Sequence, residues 1–240
     1  MVRTLTLQDV LYPETDGKPM AENTLQYRWI VRLVTNLKQL LKDEVAFVAG
    51  DLLWYPVQVD EPPAPAQAPD AMVALGRPAG DRRSYKQWEE EGIAPQVVFE
   101  ILSHSNTAKE MLEKQDFYDT YGVLEMFFYD PESYDFWGLV RSTPDQQFTR
   151  ITPLNLPWTS PILNIRFQMF DNGLGVFYPN GEEFKEPGEY IQERDRAEQK
   201  LDQTEQKLDQ TEQKLDQTEQ ERDRAFAKLR ELGIDPEKLS

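Results

Sequence analysis

Between Glu22 and Lys42 the apolar positions Trp29, Leu33, Leu37, Leu40 and Leu41 recur at three- and four-residue spacing, which predicts a long amphipathic helix. The pattern then changes. Val45 to Tyr55 is rich in β-formers but broken by Gly50-Asp51, and it predicts two strands or one bulged hairpin. Pro56 to Pro69 holds five prolines and two acids and reads as a surface loop. Ala71 to Leu75 is a short strand, and Arg77 to Gly92 is a polar excursion with a helical turn. Gln96 to Leu102 is apolar except for one acid and predicts a buried strand. Thr107 to Tyr121 predicts a helix opened by a capping box, with Thr107 at the N-cap and Glu110 three residues on. Leu124 to Tyr129 and Tyr134 to Val140 form a hairpin across Asp130-Pro131-Glu132-Ser133, and later short strands, Ile162 to Met169 among them, complete an edge sheet. Strands alternating with helices in this way give an α/β core.

The C-terminal pattern is of another kind. KLDQTEQ occurs three times in succession, at Lys200–Gln206, Lys207–Gln213 and Lys214–Gln220, and QERDRA brackets the repeats at Gln192–Ala197 and Gln220–Ala225. With Leu201, Leu208 and Leu215 at heptad position a, Thr204, Thr211 and Thr218 fall at d. The same register places Tyr190, Ala197, Ala225 and Leu232 at d, Leu229 at a, and Arg194 and Arg222 also at a. Lysine at g and glutamate at e, five residues apart, suit pairing across a parallel partner better than pairing within one helix. The expected organisation is therefore an α/β domain over residues 1–187 and a heptad-repeat helix over 188–240, either a weak parallel coiled coil that makes a homodimer or a solvated single helix.

Composition narrows the chemistry. There is no cysteine and one histidine, so disulfides, thiolate metal sites, cysteine nucleophiles and poly-histidine metal sites are excluded. No apolar run is long enough for a bilayer, and Met1 to Gly17 lacks the apolar stretch of a secretory signal, so the expected location is cytoplasmic, with no membrane partner. Acids number 43 against 26 bases, a net charge of −17. Residues 1–188 carry 28 acids and 16 bases, so the α/β part is itself acidic, which argues against a general nucleic-acid coat protein but not against an enzyme that touches nucleic acid at one patch.

Two acids stand in unusual places. Asp70 follows Pro69 where the chain enters a strand, and Glu100 lies inside Val97-Val98-Phe99-Glu100-Ile101-Leu102, where an unpaired carboxylate costs several kcal/mol. Strands ending on such acids can present two carboxylates to one Mg²⁺, which leaves its other positions to water and phosphate. Lys114, on the helix after Glu100, can return its ammonium over the strand end. Two carboxylates, a metal and a lysine suffice for metal-assisted phosphodiester hydrolysis. In the metal-free protein, two carboxylates sharing a site should raise at least one pKa.

Pro69-Asp70, the run from Val97 to Glu132 (VVFEILSHSNTAKEMLEKQDFYDTYGVLEMFFYDPE) and GKPMAEN at Gly17–Asn23 together resemble the Uma-type restriction endonucleases, an expanded bacterial family of the PD-(D/E)XK nuclease superfamily. The resemblance spans roughly residues 5–170 and implies a restriction-endonuclease-like core, a central mixed sheet flanked by helices. It implies Asp70, Glu100 and Ile101 at a Mg²⁺ or Mn²⁺ ion, Lys114 as a lysine displaced from position 102 (here Leu102), Glu22 as an auxiliary acid, and DNA as substrate. Where relatives read SPS, this chain has Ser103-His104-Ser105. The alternative is a catalytically inactive nuclease-fold scaffold that assembles through its tail. Plainer readings stand beside these: Lys114 as a surface partner of Glu110, Glu22 as a helix N-terminal acid, Asp51 as a turn acid at a bulge in preference to another site carboxylate, His104 as a loop hydrogen-bonder, Tyr118 and Tyr121 as core, and Arg77, Arg82, Arg83 and Lys86 as either phosphate grips or counter-ions of Glu89-Glu90-Glu91.

Overall fold

The structure is a computed structural model and describes residues 6–17 and 19–231. Lys18 of the GKPMAEN run and Leu232 of the heptad register lie outside the described residues. The chain divides into two units, residues 1–187 and 188–240.

The first unit contains helices α1 (Leu7–Leu11), α2 (Thr24–Leu40) and α3 (Ala108–Thr120). Its strands are β1 (Ala46–Ala49), β2 (Trp54–Tyr55), β3 (Ala71–Leu75), β4 (Tyr85–Lys86), β5 (Val97–Ile101), β6 (Glu125–Tyr129), β7 (Phe136–Val140), β8 (Thr149–Ile151), β9 (Trp158–Thr159), β10 (Arg166–Phe170) and β11 (Gly173–Phe177). The central sheet is six-stranded and mixed, in the order β1-β3-β5-β6-β7-β8, with β5 and β6 parallel across the α3 crossover and the other neighbours antiparallel.

Alternation along the strands builds two cores. Val48, Val73, Phe99 and Phe127 face α2 and the small sheet β11-β10-β9, packing with Ile30, Leu33, Leu37, Phe167 and Val176. Phe47, Met72, Val98 and Met126, their neighbours along the same strands, face the other way with Met111 and Tyr118 of α3. Period-two alternation puts Glu100 on the α3 face with Val98, and Asp70 there with Met72.

Several expectations shift in detail. Of the two alternatives for Val45 to Tyr55 the structure has two strands and no hairpin: β1 pairs with β3, while β2 pairs in parallel with β4 in a separate two-stranded sheet. The predicted first helix begins two residues later than Glu22, because Asn23 supplies the N-cap and its side chain accepts from the Gln26 amide. The strand expected over Ile162 to Met169 starts at Arg166, since Ser160 to Asn164 is a turn closed by the Asn164 amide donating to the Ser160 carbonyl. The capping box of α3 forms as predicted, with Thr107 and Glu110 bonded reciprocally. The β6–β7 hairpin is present.

Among the described residues the second unit is helical throughout, within α4 (Pro187–Glu231). Leu201, Leu208 and Leu215 are each more than half exposed along it. The three threonines at d bond back to the carbonyls of Lys200, Lys207 and Lys214. Among the described residues no helix is long and apolar enough to cross a membrane.

Candidate active site

The β3–β5 register fixes the central geometry. Ala71 lies opposite Phe99 and Met72 opposite Val98, so one step further Asp70 lies opposite Glu100 on the same face of the sheet. Directly opposed like charges destabilise a strand pair. Both groups are nonetheless buried, Glu100 to 1% exposure and Asp70 to 9%. The β3 ladder ends at the Ala71–Phe99 pair, and beyond it side chains hold the Ile101 backbone. The Ile101 amide donates to Asp70 Oδ2 at 2.6 Å, and Gln26 Nε2 of α2 donates to the Ile101 carbonyl at 2.7 Å.

Glu100 is held from α3. Lys114 Nζ donates to its Oε2 and the Tyr118 hydroxyl to its Oε1. These donors stand one turn apart on one helix face, so both reach the same carboxylate. Burial pushes the Asp70 carboxyl well above its ordinary range, and the nearby Glu100 charge adds to the rise; Lys114 and the Ile101 amide oppose it. Desolvation pulls Lys114 down, but the Glu100 and Asp70 carboxylates outweigh it and leave the ammonium above its usual value. The rise expected from paired carboxylates falls on Asp70, with burial as its first cause and the Glu100 charge as its second.

A cleft of about 470 Å³ opens beside these groups, lined by Asp70 and Lys114 together with Asp16, Glu22, Asp51, Glu110 and Glu113. Glu22 stands at its rim, exposed and just ahead of the α2 N-cap, where its carboxylate accepts from the Ser103 and Ser105 hydroxyls. Those hydrogen bonds, Ser103 first, hold Glu22 below the ordinary carboxylate range. Ser103-His104-Ser105 thus ties the β5–α3 loop to the start of α2. His104 itself points outward, 78% exposed, with Nδ1 3.9 Å from the Glu132 carboxylate.

Three contributors go beyond the sequence reading, in which Gly50-Asp51 can bring a further carboxylate to the site but a bulge with a turn acid is preferred. Asp51 lines the cleft because Gly50 lets the chain close on the Pro69-Asp70 corner: a Cβ at Gly50 would stand 3.0 Å from the Asp70 carbonyl and 2.8 Å from Val34. The Asp51 amide donates to the Pro69 carbonyl, and its φ of 48° is left-handed, a conformation Asp tolerates. Desolvation raises its carboxyl, with Asp16 and then Glu100 contributing to the rise and Lys114 opposing. Gln26 and Tyr118 are the others, and an i, i+4 spacing between Lys114 and Tyr118 was the available signal for the latter.

The basic cluster resolves as counter-ions. Arg77 and Arg82 both bond the buried Glu90, Arg77 also pairs with Glu91, Arg83 with Glu14, and Lys86 with Glu89. A second buried strand acid, Glu125, has the opposite parity to Glu100. It faces the other core and accepts from the Ser160 hydroxyl and the Ile162 amide.

Among the described residues the donor set is hard oxygen throughout, with one ammonium. Among the described residues no group of three or more His, Asp or Glu is placed to hold a metal ion. The Asp70–Glu100 pair alone meets the requirement of Mg²⁺, which takes one or two protein carboxylates and keeps several waters. The residues therefore fit a small divalent cation.

A family model described as Uma2, "Putative restriction endonuclease", matches residues 11–168. Among solved structures the chain is similar to a "putative nuclease belonging to DUF820" from Anabaena variabilis, at 16% identity and a TM-score of 0.42, over 63% of this chain and 82% of that one. No curated protein matches the chain.

Proposed function

This chain belongs to the Uma2 family, whose model is described as "Putative restriction endonuclease", and from that premise we propose that it is a Mg²⁺- or Mn²⁺-dependent DNA endonuclease that hydrolyses phosphodiester bonds with water. The observation that supports this most is the cross-strand pair Asp70–Glu100 with Lys114 closing over it at the edge of an open cleft. A divalent ion held by Asp70, Glu100 and the Ile101 carbonyl would supply Lewis acidity and an activated water.

The chain's own groups do the rest. Gln26 and Asp70 hold the Ile101 backbone on both sides, so the strand end keeps its direction without a β3 partner. Among the described residues Lys114 is the one ammonium lining the cleft, where it can orient water or meet phosphate charge. Glu22, kept ionised by two hydroxyls, serves as the auxiliary acid at the rim. The tail helix α4 joins two copies as a parallel homodimer.

A second reading is supported by charge. Among the described residues six acids line the cleft against one lysine, and the arginines beside Glu90 are engaged with acids. This favours a scaffold that has kept the fold without the activity. Supercoiled plasmid incubated with purified protein and Mg²⁺ or Mn²⁺, beside Asp70→Ala and Glu100→Ala, separates the two. The nuclease reading expects cleavage that both substitutions abolish. Cleavage surviving both overturns the site, and no cleavage together with no metal-dependent thermal shift establishes the scaffold.

A further inference from the structure

Glu100 offers its two oxygens to surroundings that differ in kind. Oε2 meets Lys114, whose side chain is 22% exposed and lines the cleft. Oε1 meets Tyr118, which is fully buried. The lysine stem is flexible, so its ammonium can swing into the cleft and leave Oε2 open to it. The tyrosine has no such freedom. Its ring lies parallel to that of Trp54, with centroids 6.3 Å apart, and Trp54 is itself fully buried and anchored through Nε1 to Gln87. Parting the hydroxyl from Oε1 would leave a buried donor unpaired.

We propose that Tyr118 is a positioning residue that reserves the inner oxygen of Glu100, so that the acid presents a single oxygen to the cleft and the site takes Mg²⁺ or Mn²⁺ in preference to Ca²⁺. This rests on the metal reading of Asp70 and Glu100 given above. The physical reason is coordination number. Mg²⁺ is content with single carboxylate oxygens in an octahedron completed by water, whereas Ca²⁺ gathers six to eight oxygens and gains from carboxylates that bind through both. A carboxylate with one oxygen already committed to a buried hydroxyl serves the first ion and handicaps the second.

The test is calorimetric titration of the full chain with Mn²⁺ and with Ca²⁺, on the unsubstituted protein and on Tyr118→Phe, which keeps the ring and its stacking and removes only the hydroxyl. The expected result is a fall of about tenfold in the Ca²⁺-to-Mn²⁺ ratio of Kd values in Y118F, the size typical when a residue behind a metal ligand is changed. An unchanged ratio, including equal weakening of both ions, would mean that Tyr118 only supports the fold and would overturn the proposal. Glu100→Asp withdraws the carboxylate from the hydroxyl by one methylene and carries the same expectation, should Y118F fail to fold. Absence of any Mn²⁺ or Ca²⁺ binding by the unsubstituted protein is a different outcome. It overturns the metal reading itself, and the proposal with it.

Discussion

Asp70 stands one step beyond the β3–β5 ladder, where the register extended sets it opposite Glu100, and accepts from the Ile101 amide, yet burial still lifts its carboxyl well above the ordinary range. A folded-state pKa above the unfolded one means that the group's contribution to stability is whole at acid pH and is lost as pH rises through the raised value. Asp70→Asn keeps an oxygen for the Ile101 amide and removes the charge. Without divalent ions it should therefore be more stable than the parent at neutral pH, on the order of 1 kcal/mol, as is usual when a functional strain is relieved. The gain should vanish in acid. Thermal unfolding followed from acid to neutral pH checks this; an Asn variant less stable than the parent at neutral pH contradicts it. Lys114→Met acts in the other direction, because it strips Glu100 of its counter-ion. We expect a loss of up to about 3 kcal/mol in urea unfolding, at the lower end for broken buried pairs because the lysine is partly exposed. Cleavage should fall by about a hundredfold or more. At this scale the sequence was legible where chemistry broke a pattern: an acid within an apolar run, an acid at a strand entry. Glu125 shows the limit. It too interrupts apolar residues, and only strand parity, with Ser160 and Ile162 as partners, sends it to the opposite face.

Elements place these residues by means that sequence shows unevenly. Periodicity and the capping box give α3, and with it the helical spacing of Lys114 and Tyr118. No periodicity shows that β1 leaves β2 to pair with β3, because pairing partners are set by tertiary packing and not by local pattern. That pairing brings Gly50-Asp51 against Asp70, which is why Asp51 reads as a mere turn acid in the sequence and as a cleft carboxylate in the fold. The polar excursion between β3 and β5 is similar: its arginines could have faced solvent for phosphates, but Glu90 is 8% exposed and gathers both Arg77 and Arg82. The Arg82 hydrogen bond first, and that of Arg77 after it, hold Glu90 below the ordinary carboxylate range against the effect of burial. Glu90→Gln should cost about 3–5 kcal/mol, the range for an uncompensated buried pair. Because a depressed carboxylate contributes stability above its unfolded pKa and loses it as pH falls, the difference between parent and variant should narrow in acid. Arg77→Ala and Arg82→Ala should lower the unfolding midpoint while leaving DNA affinity unchanged in a gel-shift titration. Loss of DNA affinity at full stability would return these arginines to the phosphate-binding role.

For the whole molecule the open matter is assembly, and it turns on α4. Each KLDQTEQ heptad presents one exposed leucine at a and one threonine at d, and in the single helix those threonines are turned back onto lysine carbonyls. Half the positions of a strong zipper seam are thus apolar, so any strand–strand affinity is modest. Charge decides direction. Lysine at g and glutamate at e pair across a parallel, in-register interface, whereas an antiparallel one sets Lys against Lys and Glu against Glu. A parallel pair also sets both Pro187 residues at one end, which suits an enzyme that cuts both strands of a duplex. The repeat was legible to the residue because heptads are a one-dimensional signal, and its partner was not, because the same pattern serves a solvated helix. The full-length chain should be a dimer at tens of micromolar, a level set by modest affinity, and truncation after Pro187 should give a folded monomer, since the cores on both faces of the central sheet are complete within residues 1–187. Light scattering on both forms decides it. A full-length monomer at that concentration defeats the zipper, and a truncated form that stays dimeric assigns association to the α/β unit and leaves α4 as a spacer.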